Sequence, residues 1–360
     1  MQQGRNKSHH RGFLDPKVSQ DDIVSFTEQL SFMVGEGLPL VRSLEALQEQ
    51  EKNAALKKII LQILEDIEAG FSFSEACAVH ESVLSEFFVS MIMAGEQGVG
   101  LATVLKRALI HMEKGKELRS KVKQVFTYPL VVGGFCFLIV TFLIVFIAPI
   151  FAKVYGQMGV ILPMPTQILL NISAFVRSFW LIIISTIAGI SIFLISPKGT
   201  VFRKNLLHFI LQKTPLLGEV SKKVAIAKFI RSFSSMLVCH VSVLDALDVS
   251  DRVVNHPIIS GVIRTIKEEV ESGIGVTESI RRSNIFSPMI VQMVNVGEQS
   301  GNIGELLEKC ANALEIEVDG LAKKSLVIIE PTLTFGVAFV VGFIALSIYL
   351  PMFDMMGHVK

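Results

Sequence analysis

Excess charge of one sign, paired cysteines and catalytic signatures are all lacking in this chain, and each lack removes a class of function. Its 34 Lys and Arg stand against 33 Asp and Glu, a formal net charge of +1, so nothing marks a general nucleic-acid binder. The four cysteines, Cys77, Cys136, Cys239 and Cys310, lie far apart, with no C-x-x-C and no histidine at zinc spacing. That pattern predicts reduced, mostly buried thiols rather than a metal site or a disulfide framework. No G-x-x-x-x-G-K-[ST], H-E-x-x-H or G-x-S-x-G occurs, so the phosphate loop, the zinc protease helix and the nucleophile elbow are all missing. The fragment GIGVT, Gly273 to Thr277, has no preceding strand and reads as a turn between helices. His80, His111, His208, His240 and His256 are scattered singly and read as surface or satisfied interior side chains. The basic N-terminus MQQGRNKSHHRGF, which holds His9 and His10, is not followed by an apolar run, so it is not a secretory signal and the chain is expected to begin in the cytoplasm.

What is abundant is apolar sequence: 51% of the 360 residues are hydrophobic, nearer a membrane protein than an ordinary globular enzyme. Pro129 to Ala152 and Pro331 to Phe353 contain no ionisable residue, and each is long enough for a helix to cross a hydrocarbon core of about 30 Å. A shorter run, Phe179 to Ser196, sits between Arg177 and Lys198, with Trp180 suited to an interface. Lys106, Arg107, Lys114, Lys116, Arg119, Lys121 and Lys123 precede the first run, Lys198, Arg203 and Lys204 follow the second, and Lys323 and Lys324 precede the third. These flanks are expected to be cytoplasmic, whereas the poorly basic stretches with Lys153, Arg177, His358 and Lys360 face the other side.

The expected order is therefore a basic flexible arm (1–20), a first cytoplasmic helical domain (21–126), a transmembrane helix (129–152), a short periplasmic loop (153–178) and a second transmembrane helix (179–196). A second cytoplasmic helical domain (198–327), a third transmembrane helix (331–353) and a short periplasmic tail (354–360) follow.

The chain also repeats itself. Phe26, Met33, Leu40 and Leu44 align with Phe229, Met236, Val243 and Leu247, and Gly70 and Glu75 align with Gly273 and Glu278. With one residue missing from the second copy after that point, Gly95-Glu96-Gln97 meets Gly297-Glu298-Gln299. Further on, Glu113 meets Glu315, Tyr128-Pro129 meets Glu330-Pro331, and Pro149 meets Pro351. The unit spans about 26–151 and 229–353, and two copies with one crossing each keep both soluble parts inside only if a third crossing returns the chain.

Apolar residues at i, i+3, i+4 and i+7 predict about six short helices per copy, with strand-like alternation rare. Gly37, Gly70 and Gly273 are placed to follow helix ends, and Ser72 with Glu75 forms a capping box. The segment VGEQSGNIGELL predicts a helix stop at Gly297, a turn, and a new helix capped by Asn302 with Glu305. Spans without ionisable groups argue against an ion or substrate pathway, Glu330 standing at the border of the third. What remains is a scaffold of helical masses held at the membrane.

At this point the chain resembles the GspF/PilC family, the type II secretion system F domain, over almost its whole length from Phe26 to Phe353. The resemblance rests on KVKQVFTYPLVV (Lys121 to Val132) running to Pro149 in IAPIF, on IEP (Ile329 to Pro331), on EGLPLVRSL, and on LPMPT with Pro163 and Pro165. Both Gly-Glu-Gln triplets match the family's Gly-Glu-x-Ser-Gly element, although the first copy has Gly98-Val99 in place of Ser-Gly. Phe126 and the short arm also depart from the family pattern.

The resemblance implies an all-α membrane protein with two homologous cytoplasmic helical bundles and three transmembrane helices in a bacterial inner membrane. It implies a non-enzymatic platform of a type II secretion system that couples a cytoplasmic assembly ATPase to pseudopilin extraction and fibre assembly. The equivalent platform of type IV pilus biogenesis is the alternative, and a small membrane transporter or channel a distant one. Implied partners are further copies of the chain, the ATPase, other inner-membrane platform components, pilin or pseudopilin subunits and lipid, with no nucleic acid.

No catalytic residue, cofactor or metal is assigned. Calcium accompanies the first domain of some members, but no EF-hand loop occurs here. The residues expected to serve structure or partner contact are Gly70, Gly95, Glu96, Gln97, Tyr128, Pro129, Pro149, Pro163, Pro165, Gly273, Gly297, Glu298, Gln299, Glu330, Pro331 and Pro351. Glu96 and Glu298, with the basic segment Lys114 to Lys123, are expected to seat the ATPase or pack the domains. Gly133, Gly134, Gly336 and Gly342 allow close helix approach within the spans.

The topology makes a direct prediction. A periplasm-active reporter fused after Gly218 is expected to be silent, and bright signal there would overturn the orientation.

Overall fold

The helical periodicity of the sequence is realised throughout a computed structural model that describes residues 18–157, 163–195, 215–254 and 256–358, with no strand among them. Expectations for the first 17 residues, for Leu162, for Ser196 to Thr214 (with Lys198, Arg203, Lys204 and His208) and for the last two residues fall outside the described residues.

The first copy forms α1 (Gln20–Gly35), α2 (Leu40–Gln50), α3 (Ala54–Glu68), α4 (Phe73–Ala78), α5 (Glu81–Leu84) and α6 (Glu86–Ala94). A five-residue π-helical segment, Gly95–Val99, leads to the long α7 (Leu101–Phe142). A second π segment, Leu143–Ile147, precedes α8 (Ala148–Gln157), and α9 (Met164–Ile195) follows. The second copy forms α10 (Pro215–Val238), α11 (Val243–Val254), α12 (Pro257–Glu271), α13 (Val276–Arg282), α14 (Pro288–Ser300) and α15 (Ile303–His358).

Local chemistry explains the boundaries. Ser19 and Asp22 form a capping box at α1, Asn53 accepts from Ala55 and Leu56 at the start of α3, and Ser72 with Glu75 forms the expected box at α4. The one-residue difference between the copies falls in the loop after α4: the first copy adds the four-residue α5 there, which the second lacks.

The helices sort into two compact units. One joins the chain up to Arg119 with Lys222–Val318, so both soluble copies lie in the same unit. Their buried residues belong to one hydrophobic cluster, with Phe26, Leu30, Leu44 and Phe88 from the first copy and Phe229, Phe233, Leu247 and Val294 from the second. Burying each such side chain contributes about 1.5–3 kcal/mol. Salt bridges stitch the seam: Arg107 to Glu308 at 2.8 Å, Lys114 to Glu315 at 3.8 Å, and Arg252 to Glu86. Inside it, Arg231 and Glu315 are 4% and 9% exposed and bond at 2.7 Å. His111 stacks on Phe87 with ring centroids 3.8 Å apart, and its Nδ1 finds no hydrogen-bond partner among the described residues. Burial, then the charges of Arg231 and Lys228, push this imidazole down to about 3, so it is neutral at physiological pH.

The other unit comprises Ser120–Ser221 and Asp319–Lys360. Its buried cluster joins Ala148, Leu169, Ile344 and Ile348 from α8, α9 and α15. Two helical stretches among the described residues, Pro129–Phe151 and a window within Ile303–Pro351, are long and apolar enough to cross a membrane. The expected middle crossing is helical to Ile195 as the C-terminal half of α9 but is not one of those two.

The expected short loop and tail are largely helical. α8 continues to Gln157, α9 starts at Met164 with Pro165 in its first turn, where the missing N–H breaks no bond, and α15 continues to His358. Cys77, Cys239 and Cys310 are buried and free, and Cys136 is half-buried.

Candidate functional site

The first Gly-Glu-Gln triplet lies between α6 and α7, and the second forms the last turn of α14, ahead of α15. Short helices leave their first N–H groups without intrahelical partners, and each triplet glutamate is placed against such an end. Glu96 Oε1 accepts from the N–H of Phe73 at 2.7 Å and of Ser74 at 3.3 Å, and Glu96 Oε2 accepts from the Ser74 hydroxyl. In the second copy Glu298 Oε1 accepts from Val276 N–H at 3.1 Å and Oε2 from Thr277 N–H at 2.9 Å. Each carboxylate is therefore committed to α4 or α13 within its own copy. Burial opposes ionisation of Glu298, but the hydrogen bonds from Thr277 and Val276 outweigh it and hold the carboxyl below its usual range.

The glycines let the backbone approach. A Cβ on Gly297 would lie 2.6 Å from Ile303 Cα, and one on Gly95 would lie 2.5 Å from Val104 Cγ2. Both positions accept the same bond: Gly100 N–H reaches Gly95 O at 3.1 Å and Asn302 N–H reaches Gly297 O at 2.8 Å.

The sequence places a helix stop at Gly297, and the structure corrects this. α14 runs on to Ser300 and ends at Gly301, whose φ of 72° is left-handed. Asn302 precedes α15 as expected and donates to Glu305 at 2.8 Å. In the first copy, where Gly98-Val99 replaces Ser-Gly, the same joint is the π segment, with Gly98 at φ 131° and Gly100 at φ 93°. Gln97 is exposed, and Gln299 Nε2 donates to Asn295 at 3.2 Å. Gly70 and Gly273, at φ 94° and 90°, follow α3 and α12 and bring the chain to the capped helices.

The repeat-equivalent prolines form a second constellation. Pro351 has no N–H, so the carbonyl of Ser347, four residues back, loses its helical donor. The hydroxyl of Thr166, on α9, donates to that carbonyl at 2.5 Å in a buried setting. Pro149 follows a π segment in which Ala148 N–H bonds back five residues to Leu143 O. In that register Pro149 cannot serve Ile144 O, and Ser173 Oγ donates to it at 2.7 Å. Thr166 and Ser173 stand two turns apart on one face of α9, with buried Leu169 between them. Sequence reasoning missed both. Their only signal is a hydroxyl pair spaced by seven beside a pair of equivalent prolines.

Pro163 O accepts from Gln167 N–H at 3.1 Å at the start of α9, and Pro165 lies in its first turn. Tyr128 and Pro129 lie inside α7, and Glu330 and Pro331 inside α15, with Glu330 exposed. Among the described residues no three His, Cys, Asp or Glu side chains converge as metal ligands.

Equivalent helices also pack differently. In the second copy a Cβ on Gly304 would lie 2.8 Å from the backbone N of Val238, so α10 and α15 touch. In the first copy the equivalent Gly35 and Ala102 line an open cleft of about 840 Å³ between α1 and α7.

An all-helical chain with a duplicated soluble unit and apolar helices continuing out of it defines a membrane scaffold class. The chain belongs to the family described as Type II secretion system (T2SS), protein F, which matches residues 26–149 and 229–351. It is 31% identical to the type IV pilus assembly protein PilC of Myxococcus xanthus over 95% of this chain and 82% of that protein. It is 29% identical to the PilC of Pseudomonas aeruginosa over 94% of this chain and 91% of that protein. To the type II secretion system protein F of Xanthomonas campestris pv. campestris it is 26% identical over 92% and 82%. The family is one of inner-membrane secretion and pilus platform proteins rather than an enzyme family.

In thermal melts of the detergent-purified chain, Glu298→Ala is expected to cost about 1–2 kcal/mol and Glu96→Ala less, because Ser72 still caps α4 whereas Gly275 offers α13 no side chain. The folded carboxyl of Glu298 has the lower pKa, so its contribution is present above pH 4.5 and fades as pH falls further, and the gap between wild type and Glu298→Gln should narrow there. Thr166→Val is expected to cost about 1 kcal/mol in the wild-type background and almost nothing in Pro351→Ala, where the restored N–H serves Ser347 O. Equal costs in both backgrounds would show that the hydroxyl does not serve that carbonyl.

Proposed function

We propose that this chain is the inner-membrane platform of a type IV pilus assembly system, in which a cytoplasmic ATPase drives extraction of pilin subunits from the membrane into a growing fibre. The observation that carries the reading is the shared core of the two repeats, from which two long helices lead into apolar stretches. Such an object has helical mass for a cytoplasmic partner to bear on and apolar helices beside which a pilin's own apolar helix can pass. The two systems share the sequence motifs, and the higher identity to the two PilC proteins, 31% and 29% against 26%, favours the pilus over the secretion system named first on the family resemblance. The secretion platform, acting on pseudopilins, is the second reading. The ATP chemistry belongs to the partner in either case, and the chain is expected to self-associate.

We also propose three crossings with the N-terminus in the cytoplasm. Two soluble copies that share one core must lie on the same side of the membrane. The chain that leaves through Pro129–Phe151 must therefore return before Pro215, and α9 is the described helix in that interval. The basic residues beside these segments support cytoplasmic placement of the shared core. The joints at Glu96 and Glu298 then serve to hold the capped helices rigidly within each copy, so that load on one helix is passed to the next.

Crosslinked co-purification from native membranes is expected to recover an assembly ATPase and pilin-like subunits. Deletion of the gene is expected to abolish surface fibres. Loss of protein secretion with fibres intact would favour the second reading, and transport or enzymatic activity of the purified chain alone would remove both.

A further inference from the structure

Two helix pairs that the repeat makes equivalent stand in different arrangements: α1 with α7 in the first copy, and α10 with α15 in the second. The second pair is joined at both ends and between them. Lys223 pairs with Glu317, Arg231 bonds Glu315 at 2.7 Å, and the last turn of α10 rests on Gly304, where a Cβ would lie 2.8 Å from the backbone N of Val238. The first pair is joined at the matching near end, where Lys116 bonds Asp21 at 2.7 Å and the Thr27 hydroxyl lies 3.8 Å from the Met112 sulfur. Its far end is parted by the cleft of about 840 Å³, and nothing stands within 4 Å of a Cβ on Gly35.

Substitutions between the copies account for the difference. Where the second copy has Arg231 clamped to Glu315, the first has Glu28 and Glu113, two like charges. The α1 side of the cleft is the loosely held one. Val104, Leu105 and Ala108 fix α7 in the core and Arg107 ties it to Glu308 at 2.8 Å, whereas Phe32 is 70% exposed and Gly35 to Pro39 are all exposed. A stretch with so few buried contacts is the one that opens and closes at least cost. The two walls are also complementary. Phe32 and Glu36 line the cleft from the end of α1, Ala102 and Lys106 line it from α7, and the side chains of Glu36 and Lys106 take no ion pair or hydrogen bond among the described residues.

We propose that the last turn of α1, Phe32 to Glu36, is a latch that closes onto the start of α7 and takes the arrangement that α10 and α15 already hold. Closure sets Gly35 against Ala102 as Val238 lies against Gly304, removes the Phe32 ring from water, and brings Glu36 and Lys106 together. The like charges of Glu28 and Glu113 oppose it, so the first copy can reopen where the second is clamped. The closed latch fixes the corner between α1 and α2 to the helix that runs on to Phe142, and opening frees it. The inference does not depend on which assembly system the protein serves.

The test uses the full chain carrying Gly35→Cys and Ala102→Cys, purified in detergent and mildly oxidised. A disulfide sets its Cβ atoms about 3.8 Å apart, nearer than anything stands to Gly35 in the open cleft. A link within one chain is expected that neither single variant forms. Lys106→Glu is expected to slow it roughly threefold, Lys106→Glu with Glu36→Lys to restore it, and Glu28→Arg, which returns the clamp of the second copy, to speed it by a similar factor. No link in a chain that melts like the wild type, links between chains alone, or a rate that ignores all three charge changes would each show that the latch does not close. If the double variant does not fold, Gly35→Cys alone carries the test, since its side chain enters open space. Its labelling by a maleimide is then expected to quicken with Lys106→Gln and to slow with Glu28→Arg, and equal rates would refute the latch.

Discussion

The interaction on which the rest of the structure depends is the burial of both repeats in one apolar core. Phe88 and Leu30 of the first copy and Phe229 and Phe233 of the second belong to a single cluster, with hydrophobic gains of about 1.5–3 kcal/mol for each large side chain. A core of that kind admits no membrane between its halves. On the proposed topology, the chain that leaves through one apolar helix comes back before α15 leaves again. The charged seam adds to this core. Arg231 and Glu315 are buried as a pair, in which each offsets part of the other's desolvation cost, and Lys114 reaches the same carboxylate from the first copy.

Duplication has preserved a chemical solution while changing the backbone that delivers it. In both copies a glutamate after a closely packed glycine satisfies the first N–H groups of a short helix, 22 or 23 residues earlier. The second copy reaches this through a regular helix end at Gly301, and the first through a π segment with positive φ at Gly98 within it and at Gly100 just after it. The carboxylate geometry tolerates that difference because a side chain supplies the acceptors and can adjust its torsions, whereas a backbone carbonyl could not.

The prolines make a parallel case. Pro149 and Pro351 each open one carbonyl in an apolar setting where an unpaired oxygen is costly, and α9, which lies outside the duplicated unit, supplies a hydroxyl to each. A helix that reads in sequence as a mere connector is thereby specified by the repeats it joins. Equivalence of sequence did not impose equivalence of surface either. Gly35 and Ala102 face an open cleft where Val238 and Gly304 are in contact, because the small residue sits on the opposite helix of the pair.

By itself the sequence determined what depends on neighbours a few residues away or on bulk polarity: the helices, the capping boxes, the glycines after α3 and α12, the apolar stretches and the repeat in its register. Gly297 reads on sequence as a helix end because a glycine that permits close approach and one that ends a helix look alike until the neighbour, Ile303, is in place. Only the tertiary structure decided that two soluble copies make one unit, that Glu96 and Glu298 face helix ends, and that Thr166 meets Ser347 across 181 residues. Periodicity and caps are short-range and leave a record in the local sequence. The pairing of a particular donor with a distant acceptor is set by how whole helices pack, and no local pattern encodes it.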